Sequence, residues 1–126
     1  MREDMWNKAY KYTFKLHISH NPISLSKQSA HFHTIKMILY LQNSSDKFGK
    51  YDVIEKIIQN YLGTYEGVYL NETASFQNLD PTIENIGKVF YSHLKSIVYG
   101  NDFELLKLEI SETPTRIFSI SEKEIF

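Results

Sequence analysis

Three histidines stand near the ends of strand-like runs, and they are the residues of this chain best suited to chemistry. They are His20, His31 and His33, the last two separated only by Phe32. Imidazole nitrogens are common zinc ligands, and three protein ligands leave one tetrahedral position open. An open position distinguishes a catalytic zinc from a structural one. The histidines therefore predict a catalytic metal site, provided that the fold brings them together.

Alternating hydrophobicity predicts the two strands that would carry these histidines. Between residues 9 and 18 every second side chain is apolar or aromatic, and His20 continues that series. Between residues 31 and 42 the apolar positions share the parity of His31 and His33. If the two strands pair as neighbours across a loop at 21–30, their adjoining ends bring His20 to the other two histidines.

The same spacing also has ordinary explanations. Two histidines at positions i and i+2 of a strand often lie on a surface or satisfy backbone carbonyl groups, and short motifs have high false-positive rates. His17 belongs to the polar face of the first strand, where we expect it to be solvated. A metal site is thus one interpretation, and histidines that only pack or hydrogen-bond are the other.

Composition excludes several classes of function. The chain has 126 residues, which predicts a single domain over 1–126, and a formal net charge of -1. Its charges are scattered, so neither nucleic acid nor an anionic membrane is an expected partner. No apolar run is long enough to span a bilayer, and no signal-peptide pattern follows Met1. Cysteine is absent, which excludes disulfides and thiolates and fits a cytoplasmic location.

Two amphipathic helices are predicted in the middle of the chain. Residues 50–62 carry an apolar stripe, and Gly63 follows as a typical C-terminal stop. The second helix is expected to begin with Asp80 as its cap and Pro81 at its first position, and its apolar stripe continues to residue 97.

Two further strands are predicted at 103–112 and 116–121, separated by a bend at 113–115. The order strand-strand-helix-helix-strand-strand predicts an α+β fold: a four-stranded antiparallel sheet with two helices on one face. Such a sheet leaves two free edges and one uncovered face. We therefore expect a homo-oligomer.

Glu112 is the second residue with chemical promise. Its parity places it with Leu106, Leu108 and Ile110 on the apolar face of its strand. A carboxylate there needs a hydrogen-bond or charge partner. It could pair with Arg116 or a backbone amide of the bend, or it could accept two parallel N–H bonds from an amidine-like edge such as that of a pterin or guanine ring.

In order and spacing, the motifs of this chain resemble the 6-pyruvoyl-tetrahydropterin synthase and 6-carboxytetrahydropterin synthase family. The resemblance covers about residues 10–122, and it is carried by His20, His31-Phe32-His33, Tyr69-Leu70-Asn71, Pro81-Thr82-Ile83-Glu84-Asn85-Ile86 and Glu112-Thr113-Pro114-Thr115.

The resemblance implies a tunnelling fold, in which three subunits close their sheets into a barrel and two rings often stack into a hexamer. It implies active sites at subunit interfaces and a zinc-dependent lyase that breaks a carbon–oxygen bond, with phosphate elimination, or a carbon–carbon bond. The implied substrate is dihydroneopterin triphosphate or a related pterin, in tetrahydropterin or queuosine-type biosynthesis.

The resemblance also implies roles for individual residues. Zinc would be held by His20, His31 and His33 and would act as a Lewis acid on a substrate oxygen. Glu112 would anchor the pterin ring, with Thr82 and Thr113 as further substrate-binding residues.

The chain departs from the family at its acid–base groups. Typical members carry a cysteine, or in some cases a glutamate, shortly before the His-x-His pair, and residues 26–30 contain neither. Typical members also carry an Asp-His pair, which is replaced here by Glu66 and Gly67. Glu66 is therefore the one candidate for a catalytic base, and its alternative is a solvated loop carboxylate.

Three functional hypotheses follow from the sequence. The first is a zinc-dependent lyase with altered acid–base groups. The second is a non-catalytic homologue that binds the metal and a pterin without turnover. The third is a structural oligomer whose histidines hold no metal.

Overall fold

The computed structural model describes residues 8–43 and 50–122, which form an α+β fold. Single 3₁₀ turns at 27–29, 70–72 and 74–76 lie in the connections between the main elements. The strands and helices are β1 (Tyr10–Ser19), β2 (Phe32–Asn43), α1 (Tyr51–Gly63), β3 (Val68–Tyr69), α2 (Ile83–Tyr99), β4 (Phe103–Thr113) and β5 (Arg116–Ile120).

The strands form one sheet in the order β3-β1-β2-β4-β5. Its four longer strands pair antiparallel, as the alternating pattern predicts. The additional strand β3 pairs in parallel with residues 18–19, so the sheet is mixed and has five strands. A strand of only two residues has no periodicity to read, and the sequence therefore gave no indication of it.

The register of β1 with β2 is continuous from Tyr10–Leu41 to Ser19–Phe32. Ile18 lies directly opposite His33, so the end of β1 and the start of β2 meet. The predicted pairing of these two strands is thereby confirmed, and with it the approach of their histidine-bearing ends.

The pairing of β2 with β4 contains a bulge. Tyr40 pairs with Lys107, whereas the next residue of β2 pairs with Leu105. Leu106 is the extra residue on β4, and the bulge changes which face each side chain takes. The prediction that Leu106 lies on the buried face is therefore wrong: Leu105 is buried and Leu106 is only half-buried.

Both helices contribute apolar side chains to a core shared with the sheet. Gly87 allows a close approach of α2, because a Cβ there would lie 3.1 Å from both Ile110 Cγ2 and Phe118 Cδ2. No helix in the described part of the chain is long and apolar enough to cross a membrane. The fully buried members of this core include Leu16, Ile18, Ile35, Met37, Leu39, Leu41, Ile54, Ile58, Ile86 and Phe90.

Thr82, rather than Asp80, caps α2. The Thr82 hydroxyl accepts the backbone N–H of Asn85 at 3.1 Å, and the helix begins at Ile83. The Asp80 carboxylate instead accepts the backbone N–H of Ile23 at 2.6 Å and so holds the loop after β1. The predicted cap at Asp80 is wrong because the tertiary contact to that loop engages its carboxylate.

Replacing Thr82 with Ala removes the N-cap hydrogen bond of α2. We expect the free energy of unfolding to fall by about 1 kcal/mol, which is typical of a lost N-cap. Chemical denaturation measures this difference. Thr82→Ser keeps the hydroxyl and is the matched control, so an equal loss in both variants would contradict the capping role.

Candidate metal centre and adjoining clefts

The side chains of His20, His33 and Glu112 form a cluster at one end of the sheet. His20 Nε2 lies 2.9 Å from Glu112 Oε1, and His33 Nδ1 lies 3.4 Å from Glu112 Oε2. The two imidazole rings are 5.1 Å apart between centroids. Glu112 thus bridges two histidines whose positions in the sequence are far from its own.

Strand direction brings the three residues together. The end of β1, the start of β2 and the end of β4 lie at the same end of an antiparallel sheet. Ile18, Ile35 and Ile110 are fully buried on the helix-bearing face, and the residues that continue their parity are His20, His33 and Glu112. Alternation and register therefore direct the cluster to the side of the sheet that carries the helices.

The cluster is partly shielded from water. The side chains of His20 and Glu112 are 14% and 22% exposed, and that of His33 is 40% exposed. A carboxylate at this depth needs compensation, and the hydrogen bond with the His20 ring and the nearby His33 ring supply it. The partner of Glu112 is thus a histidine pair, rather than the Arg116 or bend amide considered from the sequence.

The donor set of the cluster fits a divalent metal ion. One ligand atom from each of His20, His33 and Glu112 can be chosen so that all three lie within 4.8 Å of one another. Two imidazoles and a carboxylate are ligands that zinc accepts, and three protein ligands leave a position for substrate. A bound metal would take up the imidazole nitrogens that now face Glu112.

His31, the third predicted metal ligand, lies outside this group. It is exposed and directly precedes β2, which begins at Phe32. Phe32 is itself 64% exposed. The structure therefore brings two of the three predicted histidines together and adds Glu112 to them.

Two asparagines hold the chain beside His20. The backbone N–H of Asn21 donates to Asn71 Oδ1 at 3.1 Å, and Asn71 Nδ2 donates to the Asn21 carbonyl at 2.8 Å. Asn21 is buried, and its own amide donates to the Ser26 carbonyl and the Ser29 hydroxyl. The exchange joins the loop after β1 to the segment after β3. The sequence analysis assigned no role to Asn21.

A cleft of about 440 Å³ adjoins the cluster. Glu112 and Thr113 form one side, Ile83 and Glu84 at the start of α2 another, and residues 116–118 of β5 a third. Thr82 directly precedes Ile83 and Glu84, and its hydroxyl accepts the N-cap hydrogen bond of α2. A flat ring in this cleft would have the Glu112 carboxylate within its lining.

Glu66 is held by His17, a pairing that the sequence did not predict. The Glu66 carboxylate accepts the backbone N–H of His17 at 3.1 Å and faces its ring Nδ1 at 3.0 Å. The backbone N–H of Gly67, which has a φ of 74°, donates to the His17 carbonyl at 2.7 Å. His17 is exposed as expected, yet its polar groups are bound to the turn that follows α1.

Two half-buried tyrosines are excluded as acid–base groups near neutral pH. Burial raises the pKa of Tyr12 to about 12, and it raises the pKa of Tyr61 further. The Tyr12 hydroxyl donates to the Tyr51 carbonyl, and the Tyr61 hydroxyl is hydrogen-bonded to His93. Both phenols therefore remain protonated and serve the packing of the helices.

Comparison with known families assigns the chain that carries this fold and this histidine–carboxylate cluster. The model of the family described as 6-pyruvoyl tetrahydropterin synthase matches residues 9–123. The chain belongs to this family, as its motifs indicate. No curated protein matches the sequence significantly.

Solved structures show the same fold. The 6-pyruvoyl tetrahydropterin synthase of Caenorhabditis elegans superimposes with a TM-score of 0.73 at 18% identity, over 92% of this chain and 96% of its own. An uncharacterized protein from Wolinella succinogenes gives a TM-score of 0.59 at 14% identity, over 92% of this chain and 98% of its own. The expected tunnelling fold is thereby confirmed for the single chain.

Proposed function

We propose that the protein is a zinc-dependent lyase acting on dihydroneopterin triphosphate or a related pterin. The observation that carries the proposal is the cluster of two histidines and a carboxylate beside a cleft, in a chain of this family. A cytoplasmic location and a role in tetrahydropterin or queuosine-type biosynthesis remain predictions of the sequence.

The proposed zinc ligands are His20, His33 and His31. Support for the first two is their proximity and shared face, and support for the third is its place two residues before His33. When bound, zinc supplies Lewis acidity to a substrate oxygen. Zinc would also occupy the imidazole nitrogens, which would release the Glu112 carboxylate from its hydrogen bond with His20 and its contact with His33.

The released Glu112 carboxylate is proposed to anchor the heterocycle. Two carboxylate oxygens can accept two parallel N–H bonds from an amidine-like edge, and this arrangement fixes the orientation of a ring. Thr113 lines the same cleft and is proposed as a further substrate contact. Thr82 is proposed as another substrate-binding residue, because it directly precedes Ile83 and Glu84, which line this cleft.

Glu66 is the proposed proton-transfer group of this enzyme. It is half-exposed, and its carboxylate is oriented by two contacts from His17. A carboxylate held in a defined orientation can take a proton from a substrate carbon and return it elsewhere. The chain contains no cysteine to perform this step.

A second candidate is a non-catalytic protein that binds the metal and a pterin. The absence of cysteine and the glycine that follows Glu66 favour it, since both remove groups that could transfer protons. The metal and ring-binding residues would then serve recognition alone.

We further propose that the protein assembles into a homotrimer or homohexamer. In the described part of the chain, β5 has no neighbour on its outer side and β3 covers only residues 18–19 of β1. Unpaired edges favour pairing with another copy. Sedimentation equilibrium should give the mass of three or six chains, and a monomer at micromolar concentration would contradict this assembly.

Elemental analysis of wild type and single variants tests the metal site. We expect stoichiometric zinc in the wild type and its loss in His20→Ala, His31→Ala and His33→Ala, because each removes one ligand. Glu112→Gln should keep zinc and lose pterin binding. His17→Ala, which alters an imidazole outside the cluster, is the matched control.

The same measurement decides the third ligand. Zinc that is kept in His31→Ala and lost in Glu112→Gln would make Glu112 the ligand and contradict its role as ring anchor. No zinc in the wild type would contradict the lyase and the binding-protein hypotheses alike.

Turnover of dihydroneopterin triphosphate tests the role of Glu66. Glu66→Gln keeps the shape but removes the charge, and we expect turnover to fall by about 10²–10⁴-fold, the usual contribution of a general base. Glu72→Gln changes an exposed carboxylate that pairs with Lys27 and should leave turnover unchanged. Wild-type protein that binds zinc and pterin without turnover would support the non-catalytic alternative.

A further inference from the structure

The loop at 21–30 joins β1 to β2 and thereby connects His20 to His31 and His33. Of residues 21–30, all of which the structure describes, Asn21 alone is buried, and most of the others are exposed. Apolar packing therefore cannot hold the loop, although ordering its backbone costs conformational entropy. Hydrogen bonds must fix its course, and with it the places of the histidines at its two ends.

The backbone is tied to the segment after α1 on both sides of His20. Ser19 pairs in parallel with Tyr69, and this is the last pair of the ladder between β1 and β3. Two residues further on, Asn71 Oδ1 accepts the backbone N–H of Asn21 at 3.1 Å, and Asn71 Nδ2 donates to the Asn21 carbonyl at 2.8 Å. A side-chain amide here supplies the acceptor and the donor that a neighbouring strand would offer. The backbone of His20 is thus held from both directions.

Asn71 is itself carried by a firmly held turn. Leu70, directly before it, is fully buried in the core. The Leu70 carbonyl accepts two hydrogen bonds from Thr73, one from the backbone N–H at 2.9 Å and one from the hydroxyl at 2.7 Å. These contacts fix the 3₁₀ turn at 70–72. The Asn71 amide therefore presents its two bonds from a fixed point of the fold.

The side chain of Asn21 connects the two ends of the loop. Its amide donates to the Ser26 carbonyl at 2.8 Å and to the Ser29 hydroxyl at 3.1 Å. The Ser29 hydroxyl in turn donates to the Ser26 carbonyl at 2.7 Å. His31 follows Ser29 by two residues. Asn21 therefore limits how far the backbone of His31 can move from that of His20.

An ion pair also joins the loop to this segment, but it contributes less. Lys27 Nζ lies 3.1 Å from Glu72 Oε1 and 5.5 Å from the centre of the Tyr69 ring. Both charged side chains are more than half exposed, and exposed ion pairs contribute little because water screens them. At a buried residue such as Asn21, by contrast, a lost hydrogen bond leaves a polar group without a partner. The two asparagines therefore hold the loop more firmly than the ion pair does.

We propose that Asn21 and Asn71 are positioning residues of the metal centre. Asn71 fixes the backbone at His20, and the Asn21 side chain holds the loop end that leads to His31. Because the loop is ordered beforehand, less conformational entropy is lost when an ion binds. The role toward a metal rests on the proposed function, whereas the effect of Asn71 on His20 does not.

Zinc affinity, measured by competition with a chromophoric chelator, tests the role toward the metal. We expect Asn71→Ala and Asn21→Ala each to weaken zinc binding about 10–100-fold, the usual effect of removing a group that orients a ligand. Asn101→Ala is the matched control and should keep the wild-type affinity. The Asn101 amide also donates to a backbone carbonyl, that of Ile97 at 2.8 Å, but it precedes the start of β4, whereas the cluster contains the end of β4. A wild type that binds zinc, with unchanged affinity in both asparagine variants, would overturn the proposal.

Nitrogen NMR of the zinc-free protein tests the positioning of His20 directly. In the wild type His20 Nε2 lies 2.9 Å from Glu112 Oε1, so the neutral ring should carry its proton on Nε2. Asn71→Ala should give a mixture of the two tautomers, because the ring is no longer held against the carboxylate. Asn101→Ala should keep the wild-type signals. An unchanged tautomer in Asn71→Ala would overturn the positioning role.

Two comparisons keep this proposal distinct from lost folding and from the lyase proposal. Ser29→Ala removes one acceptor of the Asn21 amide at an exposed position, so it should fold like the wild type and still weaken zinc binding about fivefold, which corresponds to one hydrogen bond. An affinity in Ser29→Ala equal to that of Asn101→Ala would overturn the role of Asn21. A wild type that binds no zinc would contradict the lyase proposal, and the His20 tautomer in Asn71→Ala would then decide the positioning role alone.

Discussion

The pairing of one carboxylate with two imidazoles is the interaction on which the candidate site depends. His20, His33 and Glu112 come from three strands, and only an antiparallel sheet with this register places their ends together. The parity of each residue then directs all three side chains to the helix-bearing face. A shift of one residue in either strand pair would move a member of the cluster to the other face.

The sheet therefore separates two kinds of chemistry. The helix-bearing face combines the apolar core with the cluster of imidazoles and a carboxylate, where partial burial makes each charge require a partner. The opposite face carries the exposed side chains of Lys11, Lys15 and Lys36. Glu112 lines the cleft of about 440 Å³ that adjoins the cluster.

The loops reinforce this arrangement with hydrogen bonds instead of apolar contacts. Asn21 and Asn71 exchange bonds beside His20, and Glu66 binds both the backbone and the ring of His17. Each bond joins segments about fifty residues apart. Polar clamps of this kind hold irregular backbone in place where no strand or helix can satisfy it.

Local patterns of the sequence determined the two helices, the four longer strands and the family, because alternation and helical periodicity are properties of neighbouring residues. Tertiary structure alone decided the partners of the polar groups. The Asp80 carboxylate binds the backbone N–H of Ile23, and Thr82 is the N-cap of α2 instead. The bulge in β4 places Leu106 off the buried face. Tertiary structure also paired Glu112 with His20 and His33, and Glu66 with His17. Contacts between distant segments depend on strand register and loop geometry, which no local pattern encodes.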